Sequence, residues 1–414
     1  MSIAISPKSS RPRALIIGGS MSGLFSAALL ARQGWDVDVF ERSSVELAGR
    51  GAGISTHPEL MRALDLAGAS TDDLGVPVEN RIVLDLAGNI IHEYPLREMM
   101  TSWDRLQRLL RRVIPSDRYH LGQNYIGFEQ TETEVTANFE NGRREKADLL
   151  IGADGFRSVV RNQLLPDLRP SYAGYVVWRG APLESKLPDS VLNGIFNHFT
   201  ISLPPRQQVV GYPIPGLGDD HRPGHRRYNF IWYRVVDETA LVDLCIDATG
   251  KFHPFSIAPP LIRDDVIAAM RSDAKRNMPP QFLEVLAQVE RPFFTPIYDL
   301  VAPRLAFGRV ALVGDSASVS RPHMGFGVSK AGDDAVSLAR ALGEGRDVLA
   351  GMVRFDAERQ PINEKIFQHG RKLGAYFEVD VSSEEERAMG EIMRRPEGIA
   401  RHLAVPHFLE ATET

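Results

Sequence analysis

The sequence predicts an α/β chain: a Rossmann-like domain built from separated segments, a mainly antiparallel β-sheet inserted into it, and a helical C-terminal segment. Three observations carry that prediction. Residues 14–41 read as strand, tight turn, helix, strand. Two later apolar runs, Leu149-Leu150-Ile151 and Val310-Ala311-Leu312-Val313, each lead into a glycine-bearing turn, the pattern of short strands buried on both faces. Between them, residues 172–236 are rich in Tyr, Trp, Val and Phe, with Pro and Gly at intervals, which reads as antiparallel sheet.

In chain order, Ala14-Leu15-Ile16-Ile17 is the first strand, broken by Gly18 and Gly19. Ser22 is placed to cap the next helix, whose small face is Leu24, Ala27, Ala28 and Ala31 and which Gly34 stops. Val37, Val39 and Phe40 form the second strand, with Glu41 and Arg42 at its end. The glycine-rich loop Gly49-Arg50-Gly51-Ala52-Gly53-Ile54 lets backbone approach a ligand. Pro58 opens a helix that ends near Gly68, with His57 before it as turn structure. Residues 81–86 and 90–94 alternate around Gly88-Asn89 as a hairpin. Helices are expected over 103–113, 262–276, 279–289, 329–342 and 352–371, and Asn141-Gly142 marks another turn.

The 414 residues carry 43% hydrophobic and 24% charged side chains and a net charge of -5. That balance is ordinary for a soluble globular chain and gives no support for a nucleic-acid partner. Cys245 is the only cysteine, which excludes an intrachain disulfide, a multi-cysteine zinc site and a C-x-x-C redox pair. Residues 1–13 lack the apolar core of a signal peptide, and no run is long enough to span a bilayer. The expectation is a cytoplasmic protein without a membrane partner. No metal-ligand cluster stands out.

The first βαβ unit has the chemistry of dinucleotide binding. A helix N-terminus offers unpaired N–H groups and partial positive charge to a pyrophosphate. Gly18 allows the tight turn, Gly23 lets helix and strand approach, and Glu41 is placed for ribose hydroxyls. Ser20 stands where the second glycine of G-x-G-x-x-G is usual. Two more motifs follow buried strands: Gly152-Ala153-Asp154-Gly155 with Ser158 and Arg161, then Gly314-Asp315-Ser316-Ala317 with Pro322, Gly325, Gly327 and Asp334-Ala335. Singly, each is a turn in which Asp caps a helix.

Together and in this order, the three motifs resemble those of the flavin-dependent aromatic hydroxylases, single-component monooxygenases of the p-hydroxybenzoate hydroxylase type. The resemblance runs from about Arg13 to about Arg371. It implies FAD as cofactor and NADH or NADPH as co-substrate. It assigns the ADP part of FAD to the first motif, with Gly18, Ser20, Ser22, Gly23 and Glu41, counts Arg42 and Gly53 among the FAD-binding residues, and gives Asp154 and its neighbours to FAD and the NAD(P)H passage. Asp315 takes the ribityl or pyrophosphate region. Pro322, Gly325 and Gly327 run along the isoalloxazine ring, where backbone N–H groups and a helix start favour negative charge on reduced flavin. Within the family, Tyr172-Ala173-Gly174-Tyr175-Val176-Val177-Trp178-Arg179-Gly180, Tyr212-Pro213-Ile214-Pro215-Gly216, Asn229-Phe230-Ile231-Trp232-Tyr233 and Arg321-Pro322-His323 are similar to the hydroxypyridine hydroxylases. Ser318 stands where many relatives carry His, and Trp103 where many carry an FAD-contacting Arg; Arg105 and Gln107 are the nearest replacements.

The implied reaction uses NAD(P)H and O₂ to hydroxylate a small electron-rich ring, a hydroxypyridine such as 2,6-dihydroxypyridine, through a flavin C4a-hydroperoxide. The ring becomes rich enough when its hydroxyl is deprotonated or strongly hydrogen-bonded, so a dry pocket and a base or acceptor are needed. His323 is the candidate base, or a loop histidine bonded to backbone; Tyr212 is the second catalytic candidate. Trp232 stacks on the ring or belongs to the core. Arg179 holds an anionic substrate or pairs with a carboxylate. The rivals are a flavin dehydrogenase or oxidase without oxygen insertion, and a non-catalytic dinucleotide-binding protein. The expected segmentation is an FAD-binding domain at 1–80, 97–171 and 300–345, a substrate domain at 81–96 and 172–299, and a helical segment at 346–414. A homodimer is compatible with this reading.

Overall fold

In the structure, a computed structural model, residues 11–47, 53–343 and 347–405 are described. Strand Arg13–Ile17 is apolar and buried from Ala14 onward and so needs cover on both faces. It sits inside a six-stranded sheet ordered 306–307, 310–312, 149–152, 13–17, 36–40 and 119–120. Its neighbours run parallel to it, with Ile16 opposite both Ile151 and Val39. Strand Val310–Leu312 extends the parallel set and Ala306–Phe307 turns back antiparallel at the edge. Helices Met21–Arg32, Pro58–Ala67 and Gly327–Leu342 pack close together. Beside Gly332, a Cβ would come within 2.8 Å of the Ala63 Cβ.

The inserted sheet has eight strands, ordered 318–319, 293–301, 171–180, 227–235, 207–214, 199–202, 81–84 and 90–94. Alternation splits it into two faces. Val176, Trp178, Val209, Phe230 and Trp232 form one core with Met270, Phe282 and Val285 of helices Asp264–Asn277 and Pro280–Ala287. Tyr175, Val177, Val210, Tyr212, Ile231 and Tyr233 point the other way. The register sets Val177 opposite Tyr233 and Tyr212 opposite Asn229. Two three-stranded sheets, 125–130/135–139/144–147 and 53–55/98–102/76–78, complete the fold.

Several expectations needed correction. Ser22 does not cap its helix; Ser20 is the N-cap, without a side-chain bond, and Ser22 lies inside the first turn. The inserted sheet is mainly antiparallel, as expected, with one parallel pair where Phe199–Ser202 runs beside Arg81–Leu84. Strand Phe293–Val301 was not expected; Pro296 interrupts its pattern and pairs with Val176 just past a register irregularity. The helix expected at 329 begins at Gly327, and the one expected at 352–371 runs Val348–Gly374 with Pro361 inside. Of the glycine-rich loop at 49–54, only Gly53 and Ile54 fall within the described residues, on strand Gly53–Ser55. No described helix is long and apolar enough to cross a membrane.

Candidate functional site

The cleft lies between the parallel sheet and the inserted sheet and has two lobes. One, of about 160 Å³, is lined by Gly18, Ser20, Glu41, Arg42, Asp154 and Gly155. The other, of about 350 Å³, takes in Ser20, Ser22, Gly53, Trp103, Asp315, Pro322, Gly325 and Gly327 on one side, and Arg179, Phe199, Tyr212, Ile231 and Tyr233 on the other. Ser20, Ala153 and Gly155 belong to both lobes, so the cleft is continuous.

In the first lobe the backbone is tightly drawn. A Cβ on Gly23 would sit 1.9 Å from the Gly18 carbonyl oxygen, so helix and strand approach as closely as glycine allows. Glu41 accepts from the Gly19 N–H (2.9 Å) and the Ser43 N–H (2.8 Å), which fixes its carboxylate at the wall. Asp154 borders the lobe as a capping group. It accepts from Ser158 Oγ at 2.5 Å and from the N–H groups of Val159 and Val160 at 2.7 and 3.2 Å. Burial pushes its carboxyl up, and these bonds oppose the shift.

Between the lobes, Gly314 has φ +62°, and a Cβ there would lie 1.8 Å from Ser22 Oγ. Its N–H donates to Asp334 Oδ2 (2.8 Å), while its carbonyl accepts from Lys330 Nζ (2.9 Å). Lys330 also reaches Asp334 at 2.9 Å, and Arg359 Nε and Asn363 Nδ2 reach the other carboxylate oxygen at 2.5 and 3.0 Å. Burial alone would raise Asp334; Lys330 and Arg359 hold it down at about 2. This clamp presents Asp315, whose carboxyl has no hydrogen bond among the described residues and faces the cleft. Asp315 is exposed to the cleft, and the protein packed around it raises its carboxyl against the pull of Lys330. Asp334 was visible in the sequence as part of a motif; Lys330, Arg359 and Asn363 were not. The i,i+4 Lys330–Asp334 spacing was the available signal.

The substrate candidates divide. Tyr212 lines the larger lobe and stacks on Phe199, with ring centroids 5.1 Å apart. Tyr233, which sequence reasoning missed, lines it too; burial pushes its hydroxyl up to about 12. Arg179 reaches the lobe from the adjoining strand. Trp232 does not reach it. Strand alternation turns it to the opposite face, where it is fully buried and donates to Gln207 Oε1 at 2.9 Å.

His323 is also displaced from its expected place. Pro322 and Gly325 line the lobe, but the His323 ring turns inward and is fully buried among Tyr175, Tyr233 and Phe377. Its Nε2 pairs with Tyr175 Oη at 3.0 Å, and its Nδ1 has no partner among the described residues. Burial, assisted by Arg321, pushes the imidazole down to about 3, so it is neutral and walled off from the lobe by Tyr233.

His57 is more than turn structure. Its ring nitrogens lie 3.0 Å from Ser329 Oγ and 3.0 Å from the Ala404 carbonyl oxygen. The Ala404 N–H donates to the His323 carbonyl at 2.8 Å, and Arg81 donates to the carbonyls of Ala400 (3.1 Å) and Leu403 (2.5 Å). Leu403 and Ala404 thereby become part of the lobe's wall. Trp103 also lines the lobe, whereas Arg105 pairs with Asp219 at 3.2 Å and Gln107 is buried, its Nε2 without a partner among the described residues. Among the described residues no group of three or more His, Cys, Asp or Glu could hold a metal ion.

The FAD binding domain family matches residues 11–191 and 264–369, and an FAD binding domain-like family matches 172–299. The chain is 34% identical to 2,6-dihydroxypyridine 3-monooxygenase of Paenarthrobacter nicotinovorans, over 84% of this chain and 87% of that protein. It is 30% identical to the aurachin C monooxygenase/isomerase of Stigmatella aurantiaca, over 83% and 84%. Among solved structures, 2,6-dihydroxypyridine-3-hydroxylase from Arthrobacter nicotinovorans superposes with a TM-score of 0.84 at 32% identity, covering 91% of this chain and 95% of that one. Klebsiella pneumoniae HpxO complexed with FAD and uric acid shares the fold, with a TM-score of 0.74 at 23% identity over 92% of each chain.

Proposed function

The chain belongs to the FAD-binding-domain family of flavin-dependent aromatic hydroxylases, and from that premise we propose that it hydroxylates a small, electron-rich hydroxypyridine, with 2,6-dihydroxypyridine the first compound to test. It is an FAD-dependent monooxygenase that uses NAD(P)H and O₂. The observation that carries the substrate reading is the single cleft, with dinucleotide-binding elements at one end and an aromatic lobe of about 350 Å³ at the other. That volume is near the lower end of the ~300–1,000 Å³ common for ligand sites, which suits one ring beside a flavin.

The residues fit FAD. The close approach at Gly23 and the first turn after Ser20 suit the pyrophosphate, and Glu41 suits the adenosine ribose. Asp315, unbonded and facing the cleft, suits the ribityl hydroxyls, and Gly325 and Gly327 suit the pyrimidine edge. The redox chemistry, drawing reducing equivalents from NAD(P)H and activating O₂, is what FAD supplies when bound. This chain's own residues exclude water from the larger lobe with Phe199, Val210, Ile231 and Leu403, and orient the ring with Tyr212, Tyr233 and Arg179. His323 supports Tyr233 from behind and takes no proton from substrate. A cytoplasmic location, a homodimer and the segmentation given by the sequence belong to the same proposal.

The test is a panel of hydroxypyridines and phenols, scored by stimulated NAD(P)H oxidation and by hydroxylated product formed under ¹⁸O₂. Labelled product from a hydroxypyridine is expected. Flavin turnover without label would replace the reading with a dehydrogenase or oxidase.

A further inference from the structure

Resting on the hydroxylase reading above, we infer that Arg179 binds the substrate as its oxyanion, so that the ring is activated by ionisation on binding and no protein base is required.

Among the described residues, the charged side chains lining the larger lobe are Arg179, Asp315 and Arg321. Arg321 is committed elsewhere: it is buried and ion-paired with Asp299, with Nε donating at 2.8 Å. Asp315 lies among the dinucleotide elements, beside Ser20 and Ser22. Arg179 is half-buried on the inserted sheet, and among the described residues no carboxylate pairs with it and no acceptor meets its N–H groups. Its charge is felt by the hydroxyls of Tyr212 and Tyr233, both held neutral by burial. Two further described ionisable groups stand behind the walls of the lobe. Arg81, behind Phe199, is paired with Glu98 at 2.6 Å, and His323, behind Tyr233, is neutral. Among the described residues, the C-terminal wall contributes Leu403 and Ala404.

While the lobe is open, water solvates this guanidinium. A ligand that fills the lobe displaces that water, and a neutral ring would leave a cation buried without a counter-charge. A ring carrying an ionised oxygen supplies it, through charge-assisted bonds about twice as strong as neutral ones. The hydroxyl proton leaves to bulk water as the ligand binds, and the ring keeps the electron pair. The substrate class is therefore an acidic enol or phenol of one ring, bound with its O⁻ toward Arg179 and flanked by Tyr212 and Tyr233.

The test uses the FAD-loaded enzyme with 2,6-dihydroxypyridine and with 2,6-dimethoxypyridine, which has the same ring but cannot ionise. Affinity is read from perturbation of the flavin absorbance, and ligand ionisation from its ultraviolet spectrum across pH. Wild type should favour the dihydroxy ring and ionise it at a lower pH than in free solution. Arg179→Gln should weaken that ring roughly 10- to 150-fold, return its bound ionisation toward the free value, and leave the dimethoxy ring little changed. Arg179→Lys, which keeps the charge, should restore part of the affinity; flavin content and circular dichroism confirm that each variant is folded. Equal affinity of wild type for the two rings, or an unchanged affinity and ionisation pH in folded Arg179→Gln, would overturn the inference. Arg179-dependent anion binding without ¹⁸O-labelled product would instead overturn the hydroxylase reading alone.

Discussion

Asp334→Asn should be among the more damaging single substitutions outside the lobes, because Asp334 has no exposed surface and four donors converge on it. Asparagine keeps the shape but turns one oxygen into an N–H₂ that faces Lys330, Arg359 or Asn363. Removing one partner of a buried ion pair costs about 3–5 kcal/mol, chiefly because the other charge is left buried. Asp334 is held at about 2 in the folded chain, against about 3.9 when unfolded. A depressed carboxyl contributes stability that is present above pH 4 and lost as the pH falls through 2. The contribution is on the order of 2 kcal/mol. Urea unfolding at neutral pH should show the loss, and because the Gly314–Asp315 turn hangs on this carboxylate, flavin retained per chain should fall with it. Lys330→Met, which leaves Arg359 to balance Asp334, should cost less. A wild-type urea midpoint with full flavin content in Asp334→Asn would refute the idea that this clamp sets the turn.

Asp315→Ala should lower flavin retention while leaving the unfolding midpoint nearly unchanged, since its carboxyl bonds to no described residue; dialysis followed by absorbance measures it, and full retention would contradict the role. Glu41→Arg should weaken FAD without changing the preference between NADH and NADPH, read from steady-state rates with each; a switched preference at unchanged FAD affinity would move the nicotinamide cofactor into that lobe. His323 is held near 3, below the 6.5 of an unperturbed imidazole. As pH falls from 6.5 toward 3 the unfolded chain takes up a proton that the folded chain refuses, so stability should decline by up to about 1.4 kcal/mol per pH unit. His323→Gln should flatten that slope in pH-dependent urea unfolding, and an unchanged slope would show that the imidazole titrates in place.

Much of the fold was legible because parallel strands buried on both faces announce themselves as apolar runs ended by glycine. Arg13–Ile17, Leu149–Gly152 and Val310–Leu312 did so and lie side by side. What stayed hidden depended on partners distant in sequence. Phe293–Val301 carries a proline where a strand pattern should continue, and its place is fixed by a neighbour rather than by its own periodicity. The site shows the same division. Tyr212 and Trp232 read alike as sheet aromatics, yet only the strand phase, set by pairing with residues 171–180 and 207–214, decides that Tyr212 and Tyr233 face the cleft and Trp232 does not. His323 sits on the expected loop, but its rotation into the core follows from Tyr175 and Phe377, which no local spacing could supply.

The wall that Leu403 and Ala404 add to the larger lobe has a bearing on how the protein comes into being. His57 meets Ala404 across 347 positions of sequence, among the longest-range contacts in the fold. Contacts of such separation carry the greatest loop-closure cost and form late. During synthesis, domains generally fold from the N-terminus as the chain emerges, so the βαβ unit can take shape while this wall is still untranslated. A growing chain would then own a seat for its cofactor well before it owned a sealed chamber.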